Sequence, residues 1–270
     1  MRSETTNSNM RRPLLRLIVI GLFIGCFALA AACGRASAPK GSASAPVSSP
    51  TVDFSASVPQ DEAADAVFSA AVSDFISGFN AVYRADHGED YLLPLNDDHW
   101  VRLSEPSLCF GYDAVCFQFA ADREVWPMPR VSVYAPKDGS EIYELRMTFD
   151  HHGSQQVLFD EFRELCLCAE KMMIPNLSEA ESADLFDTLY AQSETNFFGD
   201  HYLYGDTERP ALDAVIRCGN VGFYCFYGAG NVELCIVPLT PSALKALQDT
   251  GTAIQDMQDI NKARSIVSLD

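Results

Sequence analysis

The chain has little positive charge and few histidines. It contains 19 Lys and Arg against 37 Asp and Glu, which gives a net charge of −18 over 270 residues, and only 5 His. Because nucleic acid and anionic lipid attract basic surfaces, a chain this acidic is a poor candidate for binding either through its folded part. We therefore expect no nucleic-acid partner. A solvated acidic surface is also an ordinary feature of soluble domains, so the charge alone identifies no ligand.

The sequence also lacks the short motifs that mark common catalytic and metal sites. H-E-x-x-H, G-x-S-x-G and C-x-x-C do not occur, which counts against zinc proteases, serine hydrolases of the nucleophile-elbow type and thioredoxin-like enzymes. The S-x-x-K patterns that begin at Ser37 and Ser242 have no S-D-N or K-T-G companion, so serine acyl transfer is unsupported. We predict no catalytic, metal-ligating or cofactor-binding residue, and hence no cofactor.

One long apolar run is present, at residues 17–33 (LIVIGLFIGCFALAAAC), and it follows Arg11, Arg12 and Arg16. A basic segment before an apolar run is typical of a secretory signal, and the positive charges favour a cytoplasmic N-terminus. The run is slightly shorter than the roughly 20 residues that span a bilayer core. We therefore expect the remainder of the chain to be exported.

The end of this run, LAAAC with its cysteine at Cys33, resembles the lipobox of bacterial lipoproteins. The family prefers leucine three positions before the cysteine, where this chain has Ala30, with Leu29 one position further back. The resemblance covers residues 1–33. It implies that residues 1–32 are a signal peptide, that acyl chains such as palmitate are attached at Cys33, and that the mature protein is extracytoplasmic and anchored to the cell membrane. Several acyl chains hold a protein firmly to a bilayer, whereas one holds it weakly.

Alternatives to lipidation at Cys33 remain open. Cys26 is a rival site, but cleavage there would leave the apolar residues 27–32 on the mature terminus and would halve the apolar run. In an uncleaved signal anchor, both cysteines would be small buried apolar side chains. Ordinary cleavage without lipid is the remaining alternative.

The segment after Cys33 is compositionally simple. Residues 34–59 are mostly Ser, Ala, Pro and Gly, with almost no large apolar side chain, so they cannot bury enough surface to offset chain entropy and are predicted to be a disordered spacer. We predict a signal peptide at residues 1–32, a lipidated cysteine and spacer at 33–60, and a single α+β domain at 61–270. Residues 1–32 carry a net charge of +3, which leaves −21 for the rest of the chain.

The patterns after residue 60 predict helices and strands in separate groups. Apolar residues at steps of three and four predict an amphipathic helix over residues 61–85 and further helices over 157–173, 178–192 and from 242 onward. Runs of β-branched and aromatic residues predict strands over 99–103, 114–119, 130–134, 141–149, 196–204, 212–218, 221–227 and 232–237. Grouped strands favour an α+β fold, in which an antiparallel sheet packs with helices and follows the N-terminal amphipathic helix.

Three local patterns make sharper predictions. Ser178 precedes Glu181 in a capping-box pattern and is expected to begin a helix. Residues 228–231 (GAGN) are expected to form a hairpin turn. In the strand 141–149, every second residue from Leu145 is apolar while Glu144 and Arg146 lie on the other face. That face is therefore expected to be exposed to solvent.

The chain has seven cysteines after Cys33: Cys109, Cys116, Cys166, Cys168, Cys218, Cys225 and Cys235. Export permits disulfides, but an odd number leaves at least one thiol unless another chain pairs with it. Cys109 and Cys116 would face each other across a hairpin turning at Tyr112 and Asp113. Cys166 and Cys168 would point to opposite sides of a helix, so they cannot bridge each other.

Two groups of residues are candidates for a site. His151 and His152 follow Asp150 at a strand end, but no third partner stands at a readable spacing, so a polar cluster is the simpler interpretation. Aromatic residues crowd the strands, and an exposed aromatic face would bind peptide, glycan or protein; alternatively, helices cover both faces and the rings are core. The aromatic residues are Trp100, Trp126, Tyr134, Tyr143, Phe197, Phe198, Tyr202, Tyr204, Phe223, Tyr224, Phe226 and Tyr227.

The sequence therefore favours a membrane-tethered extracytoplasmic lipoprotein that acts as a non-enzymatic binding or interaction module. Its expected partners are the membrane, through a lipid anchor at Cys33, and an extracellular protein, peptide or glycan. One alternative is an envelope enzyme whose site is assembled from dispersed residues around His151, His152 and a strand-end acid. The other is an accessory subunit of a larger envelope complex.

Overall fold

The computed structural model of the chain describes residues 52–105, 112–121, 129–150, 156–193, 214–228 and 230–260. All of them belong to one compact unit, Ser49–Asp270. The predicted signal peptide, the rival Cys26, the predicted lipidation site Cys33 and most of the predicted spacer lie outside the described residues. The anchor therefore stays a prediction.

The described residues include four complete helices and eight strands, and residues 257–260 are helical as well. The helices are α1 (Val72–His87), α2 (Gln156–Met173), α3 (Glu179–Gln192) and α4 (Pro241–Asp249). The strands are β1 (Trp100–Ser104), β2 (Val115–Phe119), β3 (Arg130–Ala135), β4 (Glu144–Asp150), β5 (Ala214–Cys218), β6 (Val221–Gly228), β7 (Asn231–Pro238) and β8 (Ala253–Asp256). The fold is of the α+β class. The strand predicted over 196–204 lies outside the described residues.

The eight strands form one sheet in the order β1-β2-β3-β4-β7-β6-β5-β8. Every neighbouring pair is antiparallel except β5 and β8, which are parallel. The sheet is therefore mixed, and the predicted purely antiparallel sheet is corrected. Sequence analysis missed β8 because it is only four residues long and most of its side chains are exposed. The chain reaches it from β7 through α4, a crossover of the kind that parallel strands require.

The two faces of the sheet bury different cores. One face packs against α1, α2 and α3, where Phe75, Phe79 and Phe162 are fully buried with the inward residues of the central strands. On the opposite face, α4 covers β5 to β7 through a smaller cluster that includes Tyr224 and Leu247. The part of the opposite face that belongs to β1 to β4 carries Glu144 and Arg146 of β4 and, at the edge, Val101 and Leu103 of β1.

The folded part begins earlier than predicted, and its first helix begins later. Phe54 and Val58 fall within the predicted spacer but are buried in the main core, because these two apolar side chains interrupt the otherwise small and polar segment. The helix predicted over 61–85 is α1, which begins only at Val72. The residues before it form turns and bends. Among them Phe68 makes an isolated antiparallel bridge with Ile142, through main-chain hydrogen bonds of 2.8 and 3.1 Å.

Two of the sharper local predictions are confirmed. Ser178 caps α3, and its hydroxyl accepts the main-chain N–H of Glu181 while the Glu181 carboxylate accepts the N–H of Ser178. Strands β6 and β7 form the predicted hairpin, with Gly228 paired to Asn231. Gly230 adopts a φ of 87° in that turn, a left-handed conformation that glycine adopts without steric penalty.

The β1–β2 hairpin differs from its prediction. Cys116 lies opposite Leu103 in β1 and opposite Tyr134 in β3, so it does not face Cys109 across a turn at Tyr112 and Asp113. The predicted register failed because apolar residues on both sides of the turn allow several pairings, and the pairing actually formed depends on the next strand. Cys109 itself lies outside the described residues.

Candidate functional site

Strand β1 forms one edge of the sheet. It pairs with β2 and with no other described strand. Glu105, directly after β1, donates its main-chain N–H to the carbonyl of Ala114 at 3.3 Å. Because main-chain groups alternate in direction along an antiparallel strand, the N–H and C=O groups of Arg102 and Ser104 point away from β2. An edge of this kind offers hydrogen-bonding groups to another extended segment.

The side chains of β1 make this edge unusual in the described part of the chain. Only three large apolar side chains are exposed among all the described residues. Two of them, Val101 and Leu103, stand on the same face of β1, with 42% and 40% of their surface exposed. Arg102 projects to the other face, where its guanidinium carbon lies 5.3 Å from the centre of the Phe117 ring. Natural edge strands are protected by charged side chains, proline, bulges or short length. β1 contains no lysine or proline, and Arg102 is its one charged residue.

The face of the sheet that carries Val101 and Leu103 also holds a buried ionic cluster, which is centred on Arg146 of β4. Its guanidinium Nε donates to Glu144 Oε1 at 2.6 Å, and Nη1 lies 3.5 Å from Glu233 Oε2 of β7. The guanidinium also stacks on Tyr134 of β3, 4.0 Å from the ring centre. Glu144 and Arg146 are 0% and 6% exposed, so the prediction that this face of β4 is exposed to solvent is wrong.

The cluster is incompletely satisfied. Within the described part of the chain, Arg146 Nη2 and Glu233 Oε2 are buried and make no hydrogen bond. Burial raises the pKa of Glu233 above its usual value, and Arg146 offsets only part of that effect. For Arg146, burial lowers the pKa but Glu144, Tyr134 and Glu233 outweigh that effect, so the pKa lies well above its usual value. The guanidinium therefore stays charged, and it is held in place by ionic contacts rather than by a full set of hydrogen bonds.

The six described cysteines are not paired with one another in disulfides, and five of them are buried. Burial is the largest cause of a raised pKa at each of them. It raises the pKa of Cys116, Cys168 and Cys218 to about 12. Since the thiolate is the reactive form, none of these side chains is an activated nucleophile.

We expect these thiols to react slowly with an aromatic disulfide reagent at pH 7. Raising a thiol pKa from roughly 8.5 to about 12 lowers its thiolate fraction roughly a thousandfold. The rate should be measured with Cys26, Cys33 and Cys109 replaced by serine, first under native conditions and then in denaturant. Release of all six thiols only in denaturant is the expected result. One thiol that reacts rapidly in the native protein would contradict the assignment and favour the enzyme hypothesis.

The far end of the sheet holds a cleft of about 590 Å³ beside α3 and β5. The half-buried Cys218 contributes to its wall, with its Sγ 3.1 Å from Met257 Sδ. Arg217 also lines it, and its Nε donates to the Gly219 carbonyl at 2.8 Å. Three carboxylates, those of Asp53, Glu181 and Asp256, share the lining with this one guanidinium. The excess of negative charge favours cationic over anionic ligands there.

No protein-family model, no curated protein and no solved structure matches this chain. The fold and its surfaces are therefore the basis for assigning a role. Among the described residues, no group of three or more His, Cys, Asp or Glu side chains is placed to hold a metal ion. The helices within the same ranges are all too short or too polar to cross a membrane.

The candidate residues from the sequence are only partly described. His151 and His152 lie outside the described residues, and Asp150 is the last residue of β4. The predicted aromatic binding face is not formed by β6, because Phe223, Tyr224 and Phe226 are all buried. The alternative interpretation, in which helices cover both faces of this strand, is correct. Trp100 and Tyr134 are buried as well, and Trp126, Phe197, Phe198, Tyr202 and Tyr204 lie outside the described residues.

Sequence reasoning did not predict that β1 lies at the edge of the sheet, and it did not predict the ionic cluster. Residues 99–103 were predicted as a strand, but no local pattern shows that a strand lies at the edge of a sheet. A signal was nevertheless present, because Val101 and Leu103 alternate with Arg102 in the sequence. The charged pair Glu144 and Arg146 stands two residues apart on one strand face, and only the packing of the sheet shows that this face is buried.

Proposed function

We propose that the chain is a lipid-anchored, extracytoplasmic interaction module that is tethered through Cys33 and has no catalytic activity of its own. The observation that carries the interaction role is the exposed apolar pair, Val101 and Leu103, on the edge strand β1. Exposed apolar surface next to available main-chain groups favours contact with another protein. The raised pKa values of the six described thiols count against thiol catalysis.

The proposed tether leaves room for such contacts. Residues 34–51 separate Cys33 from the first described residue, and they are rich in Ser, Ala, Pro and Gly. A flexible segment of this length spans about 23 Å on average and roughly 60 Å when fully extended. The edge strand would therefore meet partners close to the membrane surface. Partners bound to the same membrane would be favoured by the high local concentration that tethering provides.

The anchor is tested by the intact mass of the protein purified from membranes. We expect residues 33–270 plus acyl chains, because the lipobox-like sequence directs cleavage and lipidation at Cys33. A Cys33→Ala variant should lose the acyl chains, whereas a Cys26→Ala variant should keep them, since residue 26 lies in the removed segment. An unmodified full-length mass would overturn the lipoprotein assignment and leave a single-pass membrane protein.

The orientation of the domain is tested by labelling. A Leu103→Cys variant should react with a membrane-impermeant maleimide in right-side-out membrane vesicles, because the side chain at this position is 40% exposed. The experiment is made with Cys109 replaced by serine. Without Leu103→Cys this protein should show little labelling, since five of the six described cysteines are buried. Labelling only after the vesicles are opened would place the domain on the other side of the membrane and would overturn the proposed location.

A further inference from the structure

We propose that β1 takes up an extended segment of another protein as an additional strand of the sheet, and that this segment carries an acidic residue opposite Arg102 between two apolar residues. The inference rests on the proposed interaction role, and it names the chemistry of the partner. It does not depend on the lipid anchor.

The main chain of β1 provides the first part of the recognition. The outward N–H and C=O groups of Arg102 and Ser104 are spaced to pair with an added strand, as in any regular ladder. β-strand addition of this kind uses main-chain hydrogen bonds for affinity and alternate side chains for specificity. The five residues of β1 are enough for a short recognition segment.

The side chains provide the apolar part. Val101 and Leu103 stand on one face of β1, and residues of an added strand on that face would lie about 4.5 to 5.5 Å from them between Cβ atoms. Apolar residues in the added strand would cover both side chains. The Arg146 cluster lies on the same face of the sheet, further from the edge, on β4 and β7.

The charge of Arg102 determines which type of residue the added strand should carry between its two apolar residues. Arg102 is exposed, and it forms no ion pair with any carboxylate in the described ranges. In this structure its guanidinium lies over Phe117 of the neighbouring strand β2. Because the side chain is exposed, it can turn toward the free edge to meet a carboxylate on an added strand. Opposite charges directly across a strand pair are favourable, and like charges are unfavourable.

The same charge disfavours a second copy of this chain as the occupant. The antiparallel register that pairs the whole of β1 with itself puts Arg102 opposite the partner's Arg102, and the two positive charges repel each other. A heterologous acidic and apolar segment avoids the repulsion at the edge.

The proposal is tested with the full-length protein in detergent and two pools of short blocked peptides. In one pool Val, Ile or Leu alternates with Glu, and in the matched pool Lys replaces Glu. We expect the Glu pool to bind about fivefold or more tightly than the Lys pool, on the basis of cross-strand charge pairing. An Arg102→Ala variant should bind both pools equally. Hydrogen exchange should slow at the Arg102 and Ser104 amides when the Glu pool is added.

Matched variants distinguish strand addition from nonspecific binding to exposed apolar side chains. Ser104→Pro removes an outward N–H and leaves the β1–β2 hydrogen bonds intact, and edge strands tolerate proline at such positions, so binding should fall at least about tenfold. Leu103→Thr should weaken binding several-fold, whereas Val157→Thr, at the third exposed apolar residue and on α2, should not change it. Circular dichroism checks that each variant is folded.

Several results would overturn the proposal. These are equal binding of the Glu and Lys pools to the unaltered protein, binding that Ser104→Pro leaves unchanged, and no binding of either pool at about 1 mM, the weakest useful affinity. Self-association that Ser104→Pro abolishes would show that the edge binds a second copy instead. If the mass and labelling experiments succeed while the peptide pools fail, the lipid anchor and the extracytoplasmic location stand, and the strand-addition role of β1 falls.

Discussion

Replacing Arg146 by methionine is expected to lower the free energy of unfolding by roughly 3 to 5 kcal/mol at pH 7, because the variant leaves buried carboxylates without their cation. Glu144 is fully buried and bonds to Arg146 Nε at 2.6 Å, and Glu233 lies 3.5 Å from Nη1. The measurement is urea unfolding followed by fluorescence or circular dichroism, with the midpoint and slope compared between variants.

Two further variants decide whether charge or shape is responsible. Arg146→Lys keeps the positive charge but loses the planar group that stacks on Tyr134 and the donor to Glu144. We expect it to be destabilised by less than Arg146→Met, because lysine still neutralises the carboxylates. Replacing Glu144 and Glu233 by leucine together with Arg146→Met should recover most of the loss, because an apolar cluster of similar volume needs no ion pairing.

An exposed arginine supplies the matched control. Arg84 pairs with Asp90 on the surface, and both side chains are largely exposed. Because surface ion pairs contribute little, Arg84→Met should change the free energy of unfolding by less than about 1 kcal/mol. If Arg84→Met and Arg146→Met had equal effects, the Arg146 cluster would not be an energetically distinct feature of the fold.

The deficit of Arg146→Met should shrink as the pH falls from 7 toward 5. Arg146 lowers the pKa of Glu233, against the effect of burial, so its removal raises that pKa further. A carboxyl whose pKa is raised in the folded state stabilises the fold at low pH and loses that contribution as the pH rises. A deficit that stays constant with pH would show that lost packing, and not an uncompensated charge, explains the effect.

Local sequence patterns predicted most individual elements, since each depends on a few neighbouring residues. Ser178 and Glu181 lie within one turn of each other, so their capping interaction follows from the sequence. The hairpin of β6 and β7 follows in the same way from glycine at its turn. The pairing of β1 with β2 depended on more distant contacts, and there the predicted position of Cys116 was wrong.

The candidate sites depend on strand order and on what covers each face. Alternation along β4 correctly separated Leu145 from Arg146, but it does not show whether the polar face is exposed. That face is buried, and Arg146 meets Glu233 from a strand 87 positions later in the sequence. The edge position of β1 likewise results from the order of all eight strands. The alternation of Val101, Arg102 and Leu103 is visible in the sequence, but local patterns do not show which strand lies at the edge or which face is buried.

The stability of the fold is also expected to depend on pH through Glu170 of α2. This side chain is fully buried against α3. Ser182 donates its hydroxyl to Glu170 Oε2 at 2.7 Å, while Oε1 makes no hydrogen bond within the described ranges. Burial raises the pKa of this carboxyl to about 8, against smaller lowering effects of Ser182 and Arg163. Glu170 is therefore protonated at neutral pH in the folded protein and ionised in the unfolded chain.

This difference makes the stability of the fold depend on pH. The folded-state pKa is above the unfolded value, so the contribution of Glu170 is fully present below about pH 4.5 and is lost as the pH rises toward about 8. Between those limits the group is expected to lower the free energy of unfolding by about 1.4 kcal/mol for each pH unit. Above about pH 8 the folded protein would hold a buried charge between α2 and α3, which favours separation of the two helices.

Glu170→Gln should remove this pH dependence, because the amide keeps an oxygen that can accept from Ser182 and never ionises. Urea unfolding at intervals from pH 5 to pH 8.5 should give a flatter curve for the variant, and the variant should be the more stable protein at the alkaline end. Glu179→Gln, at an exposed glutamate in the first turn of α3, should leave the slope unchanged. Parallel curves for Glu170→Gln and the unaltered protein would show that Glu170 titrates like an exposed carboxylate, and the α2–α3 interface would then have to admit water at this position.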